Sequence, residues 1–180
     1  MEIVGEKING TRKPVARAIA ERDEAFIRDL AQSQVNAGVD YLDLNAGTKP
    51  DEEPQDLLWL IETVQGKTDN PLCLDSANPK ALQAALPKVT RPAMINSING
   101  EEEKLNAIIP LAAEYGCKLI VLAMDSKKIP KKAEERAEII DAVIKQTDTA
   151  GIDRALLYVD SLAMTLSTDT ESAIVFCDTV

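Results

Sequence analysis

The chain has 180 residues, 45% of them apolar and only 3% aromatic, with a formal net charge of -10 and no histidine. That length suits one domain with an aliphatic core, and the negative charge argues against a nucleic-acid backbone or an anionic membrane as partner. A chain without histidine has no imidazole base, no Ser-His pair and no His-containing metal site.

Taken in order, residues 2–8 read as a short strand and residues 9–14 as a loop. A helix over 15–37, in one or two pieces, follows. Asp23 can cap its second part, with Phe26, Leu30 and Ala37 among the core-facing residues. Gly38 suits the position just past the helix, where only glycine takes a positive φ without cost. The second strand is 39–45. After a turn-rich loop, Leu57, Leu60, Ile61 and Val64 keep a helical spacing. The third strand, 72–75, runs into a turn where Asn78 can cap the next helix and Pro79 can occupy its first position.

The fourth strand is 93–97. Glu101, Glu102 and Glu103 match the positive end of the next helix, and Pro110 should kink it. The fifth strand is 118–124. The helix after it carries Ile139, Ile140, Val143 and Ile144 on one face and stops at Gly151. The sixth strand is 155–160, and Thr168 with Glu171 resembles a capping box.

Six strands, each followed by a helix, mean a parallel α/β sheet. The turn after the first strand, Gly5-Glu-Lys-Ile-Asn-Gly10, is no G-x-G-x-x-G phosphate turn. Polar residues end nearly every strand rather than lining one crevice, which favours a (β/α)₈ TIM barrel over an open doubly wound sheet. A barrel typically needs about 200 residues or more, so the expectation is a barrel truncated after about six βα units, with 1–180 as one domain whose C-terminal part is missing.

Side chains alternate along a strand. Packing the all-aliphatic side on the helices turns Asp43, Asn45, Asp75, Asn96 and Asp160 inward, toward one mouth. Carboxylates and amides together suit a flat, nitrogen-rich heterocycle, because a carboxylate accepts paired N–H bonds and an amide both donates and accepts. Two other readings remain: strand-end residues that merely cap helices, and a divalent-metal cluster, which the mixture of amides and acids disfavours. Ser76 and Ser97 lack a base partner and read as loop-bonding hydroxyls. No residue is expected to act as a protein nucleophile, and no metal ligand set is expected.

At these positions the sequence resembles the pterin-binding methyltransferases that exchange a methyl group between tetrahydrofolate and a corrinoid. The motifs are Gly5-Glu-Lys-Ile-Asn-Gly10, Leu42-Asp-Leu-Asn-Ala-Gly47, Cys73-Leu-Asp-Ser-Ala-Asn78, Ala93-Met-Ile-Asn-Ser97 and Tyr158-Val-Asp160. The resemblance implies a TIM barrel in which Asp75, Asn96 and Asp160 bind the pterin ring, Asp43 and Asn45 line the same pocket, and Ser76 lies in a region facing the corrin. It also implies tetrahydrofolate or 5-methyltetrahydrofolate as substrate, a cobalamin-type corrinoid on a separate partner protein, and a homodimer. An Asn after the family's seventh strand, which hydrogen-bonds near N5 of the folate, has no counterpart in this chain.

The rival activity is that of dihydropteroate synthase, whose Asn-Val-Thr-Pro-Asp-Ser-Phe pattern after the first strand is lacking; the other rival is an inactive folate-binding fragment. Met1-Glu-Ile-Val-Gly5 lacks the basic start and apolar run of a secretory leader. Cys73, Cys117 and Cys177 form no C-x-x-C. Both features point to a reducing cytoplasm. No apolar run approaches the ~20 residues of a membrane span.

Overall fold

The computed structural model describes residues 1–126, 129–163 and 172–179. They form two compact units, 1–96 with 115–117, and 97–114 with 118–180. The first unit contains β1 (Val4–Asn9), α1 (Lys13–Glu21), α2 (Glu24–Asn36), β2 (Tyr41–Asn45), α3 (Glu53–Gln65), β3 (Leu72–Leu74), α4 (Pro79–Ala85) and the start of β4 (Met94–Ile98). The second contains most of α5 (Glu102–Tyr115), then β5 (Lys118–Leu122), α6 (Ala133–Thr149), β6 (Leu157–Asp160) and α7 (Ser172–Thr179). The expected alternation of strands and helices is present. The pair Thr168 and Glu171 lies outside the described residues.

In the first unit β1 pairs with β2, β2 with β3 and β3 with β4, all parallel. Strands joined by helical crossovers pack their aliphatic side chains against those helices. Leu42, Leu44, Leu72, Cys73 and Leu74 are accordingly buried, as are Leu57, Leu60, Ile61 and Val64 on the inner face of α3. In the second unit β5 and β6 pair in parallel. Ile140 and Val143 of α6 are buried, whereas Ile139 and Ile144, expected on the same face, are half-buried. α5 continues through Pro110 as one helix.

Local signals placed the helix ends. Asp23 accepts a hydrogen bond from the Phe26 N–H at 3.1 Å, and Asn78 accepts one from Lys80 N–H at 3.1 Å. Gly38 takes φ +87° behind α2. Asp23→Ala should therefore lower stability by about 1 kcal/mol, read as a shift in the denaturant midpoint at unchanged slope.

The inward face of α2 differs from the expectation. Ile27, Ala31 and Gln34 are buried, while Phe26 and Ala37 are exposed and Leu30 is half-buried. Gln34 meets β1, whose register against β2 shifts between Gly5 and Ile8. The irregularity leaves the Lys7 N–H in need of an acceptor, and the Gln34 side-chain carbonyl supplies it at 2.9 Å. Gln34 turns inward together with Ile27 and Ala31, and its own Nε2 is a buried atom with no partner among the described residues. A Cβ on Gly5 would stand 2.7 Å from the same Gln34 oxygen, so a larger residue there would displace the glutamine side chain.

Candidate functional site

One side of the sheet in the first unit is polar. Asp43 pairs in register with Cys73, and Cys73 with Met94. Alternation then puts Asp43 and Asn45 of β2, Cys73 and the following Asp75 of β3, and Asn96 of β4 on one face. Hydrogen bonds confirm that placement. The Asn45 amide Nδ2 donates to Asp75 Oδ2 at 2.7 Å, and the Asn96 Nδ2 donates to Asp43 Oδ2 at 3.1 Å. Four of the five expected residues therefore come together as two amide–carboxylate pairs. The fifth, Asp160, ends β6 in the second unit and is exposed; its Oδ1 accepts from the Leu162 N–H at 2.8 Å.

The two pairs differ in environment. Asp43 is 1% exposed. Burial pushes its carboxyl from the ordinary 3.8 up to about 6, against the Asn96 hydrogen bond, with repulsion from Asp75 and Glu6 adding to the rise. Asp75 is half-buried; burial raises its carboxyl too, the Asn45 hydrogen bond opposes this, and repulsion from Glu53 adds to it. Burial and the neighbouring Asp43 push the Cys73 thiol far up, so it stays protonated and is no nucleophile.

A cavity of about 680 Å³ opens beside Asp75, lined among others by Thr11, Asn45, Thr48, Glu53, Asp75 and Ser76, a volume within the usual range for small-molecule sites. Its walls come from the loops after β1, β2 and β3. Those loops are in backbone contact: the Gly10 N–H donates to Asn45 O at 2.8 Å, and a Cβ on Gly10 would lie 1.9 Å from Ala46 O. Asn45 and Thr48 line this cavity, while Asn45 Oδ1 and Thr48 Oγ1 are themselves closed to solvent and have no hydrogen-bond partner among the described residues.

Ser76 is buried rather than presented outward. Its hydroxyl donates to Glu53 Oε1 at 2.6 Å and accepts from Asn78 N–H at 3.1 Å, while Asn78 Nδ2 reaches Glu53 Oε2 at 3.0 Å. Glu53, Thr48 and Thr11 were not singled out in the sequence. Glu53 is the first residue of α3, and its role follows from the fold of the β3 loop over it rather than from any local spacing. Among the described residues no group of His, Cys, Asp and Glu could hold a metal ion.

A family model described as "Pterin binding enzyme" matches residues 5–180. The methylcorrinoid:tetrahydrofolate methyltransferase of Eubacterium limosum is 36% identical over 178 residues, 98% of this chain and 66% of that protein. The methionine synthase of Mycobacterium tuberculosis is 26% identical over 178 residues, 95% of this chain but 15% of that protein. Among solved structures, dihydropteroate synthase from Stenotrophomonas maltophilia matches with a TM-score of 0.68 at 20% identity, over 94% of this chain and 64% of that one. The Xanthomonas albilineans dihydropteroate synthase in complex with 7,8-dihydropteroate matches with a TM-score of 0.62 at 19% identity, over 97% and 63%. These likenesses place the fold in the α/β barrel class expected from the strand–helix order. The chain spans 66% or less of the length of each of these proteins.

Proposed function

The chain belongs to the pterin-binding enzyme family, and from that premise we propose that it moves a methyl group between N5 of tetrahydrofolate and the cobalt of a corrinoid carried by a partner protein. The observation that carries this reading is the Asn45–Asp75 pair on the cavity wall, the half-buried Asp75 carboxylate being held by Asn45 Nδ2 at 2.7 Å. That carboxylate presents acceptors to a ligand edge rich in N–H donors, which a reduced pterin has. The 36% identity to a methylcorrinoid:tetrahydrofolate methyltransferase supports methyl transfer over other pterin chemistry. The loop after β1, Asn9-Gly10-Thr11-Arg12-Lys13-Pro14, differs from the pattern of the dihydropteroate synthases, whose likeness extends to the fold.

In this reading Asp75 accepts from the ring N–H groups and Asn96 offers both donor and acceptor to the ring edge; for Asp160 the role of a pterin ligand rests on the sequence resemblance alone. Asp43 holds Asn96 in orientation through the 3.1 Å bond, and Asn45 does the same for Asp75. The cobalt supplies the atom that takes or gives the methyl group, so the protein needs no nucleophile of its own. Its work is to hold N5 in line and to surround the ring with fixed dipoles that need no reorganisation. The loop from Asp75 to Asn78, braced through Ser76 on Glu53, would face the corrin. A homodimer in the cytoplasm fits the same reading, as does the net charge of -10, which disfavours nucleic acid as a partner.

Methyl exchange between methylcobalamin and tetrahydrofolate tests the proposal. Formation of 5-methyltetrahydrofolate is the expected result. Condensation of a pterin with p-aminobenzoate and no methyl exchange would move the assignment to dihydropteroate synthase. Folate binding without either reaction would reduce it to a pterin-binding module.

A further inference from the structure

We infer that Arg136 is a positioning residue for Asp160: it clasps the turn after β6 so that the Asp160 carboxylate keeps a fixed direction. The inference rests on the reading of Asp160 as a pterin ligand. Arg136, on the first turns of α6, is 2% exposed, an unusual place for a cation. Its guanidinium donates to three backbone carbonyls. Nε reaches Pro130 O at 2.9 Å, in the segment between β5 and α6; Nη1 reaches Ser161 O and also Leu162 O at 3.0 Å. One planar fork thus ties the chain before α6 to the turn after β6, all within the second unit.

That turn needs tying. Leu162 takes φ +61°, a left-handed conformation that a leucine adopts at a cost. In that conformation its N–H points back to Asp160 Oδ1 at 2.8 Å, an Asx turn that sets the carboxylate plane. If Leu162 relaxed to a negative φ, its N–H would swing away and the Asp160 side chain would lose its anchor. The two carbonyls held by Nη1 belong to the peptide units on either side of Leu162. They are the groups whose rotation such a relaxation requires. The Ser161 side chain is 1% exposed and its hydroxyl is a buried atom with no partner among the described residues. The turn is therefore not held by the hydroxyl most available to it. A lysine at 136 would keep a charge but could not present the flat set of donors that reaches all three oxygens.

The experiment compares Arg136→Lys, Asp160→Ala, the double variant, and Arg136→Lys/Leu162→Gly, with tetrahydrofolate affinity read by calorimetry. Arg136→Lys should weaken binding about tenfold in wild-type background and have little further effect once Asp160 is alanine, because interacting groups are not additive. Leu162→Gly should restore much of the loss, since glycine holds a positive φ unaided. A merely structural arginine would give a loss that persists undiminished in Asp160→Ala and is not restored by glycine; either result overturns the inference, as does unchanged affinity in Arg136→Lys. Loss of the fold in both Arg136→Lys and its Leu162→Gly double overturns it as well. Hydrogen exchange at the Leu162 amide reads the clasp without ligand and should accelerate about tenfold in Arg136→Lys. Faster exchange in a protein whose wild type does not bind tetrahydrofolate would sink the folate reading and leave the clasp standing.

Discussion

Asp75→Ala should weaken tetrahydrofolate binding by about 1–3 kcal/mol, roughly ten- to a hundredfold, measured by titration calorimetry on protein whose fold is verified by circular dichroism. Two losses combine. The ligand's N–H donors lose their acceptor in a site partly withdrawn from water. Asn45 also loses the 2.7 Å bond that orients it. Asp75→Asn sharpens the test. With its oxygen toward Asn45, the new amide turns an NH₂ toward the ligand and sets donor against donor. With its NH₂ toward Asn45, it clashes there instead. The isosteric change should therefore cost about as much as the alanine. Asn96→Ala should fall in the same range, because it removes a ring contact and strips Asp43 of its donor. Affinity unchanged in both Asp75→Ala and Asn96→Ala would remove the pterin from this pocket.

The parts of this site legible in the sequence were those written locally. Strand parity, with the aliphatic side packed on the helices, put Asp43, Asn45, Asp75 and Asn96 on one face, because a residue's side of a strand depends only on counting; which amide meets which carboxylate depends on the register between strands. Caps at Asp23 and Asn78 were legible for the same reason: a capping side chain bonds an N–H two or three residues away. What escaped depends on distant partners. Glu53 lies 23 residues from the Ser76 hydroxyl it receives, and nothing in either segment names the other. The buried Gln34 of α2 escaped because its partner is the Lys7 N–H in the irregular register of β1, 27 residues away. Apolar spacing points to Phe26 and Leu30 instead. Arg136 escaped in the same way, since the carbonyls that make its burial tolerable come from two other segments.

Asp43 makes the second large prediction, one about pH. Its carboxyl sits near 3.9 in the unfolded chain and is pushed up to about 6 in the folded one, chiefly by burial. Between those values the native state holds a proton that the unfolded state has released. The stability this group contributes is therefore fully present below pH ~4 and is lost as pH rises through about 6, an effect of about 2–3 kcal/mol at one pKa unit per 1.36 kcal/mol. Asp75, also raised, acts in the same direction. Glu101 and Asp148, lowered by their bonds to Lys104 and Arg154 at the surface, act in the opposite one. Comparing wild type with Asp43→Asn cancels the two surface groups and isolates Asp43 together with its coupling to Asp75. Asparagine can still accept from Asn96 but carries no charge to desolvate, so its stability relative to wild type, from denaturant unfolding, should rise by about 2 kcal/mol between pH 4.5 and 7.5. Parallel pH profiles for the two proteins would show that Asp43 titrates normally. An acid retained at such a cost in the core is explained by what it holds: ionised Asp43 fixes the donor side of Asn96 toward itself and leaves the amide oxygen for the ring, whereas an asparagine there can pair with Asn96 in either sense. Asp43→Asn should therefore be the more stable protein at neutral pH and the weaker tetrahydrofolate binder, the opposed signs expected of a residue kept for its site rather than for its fold.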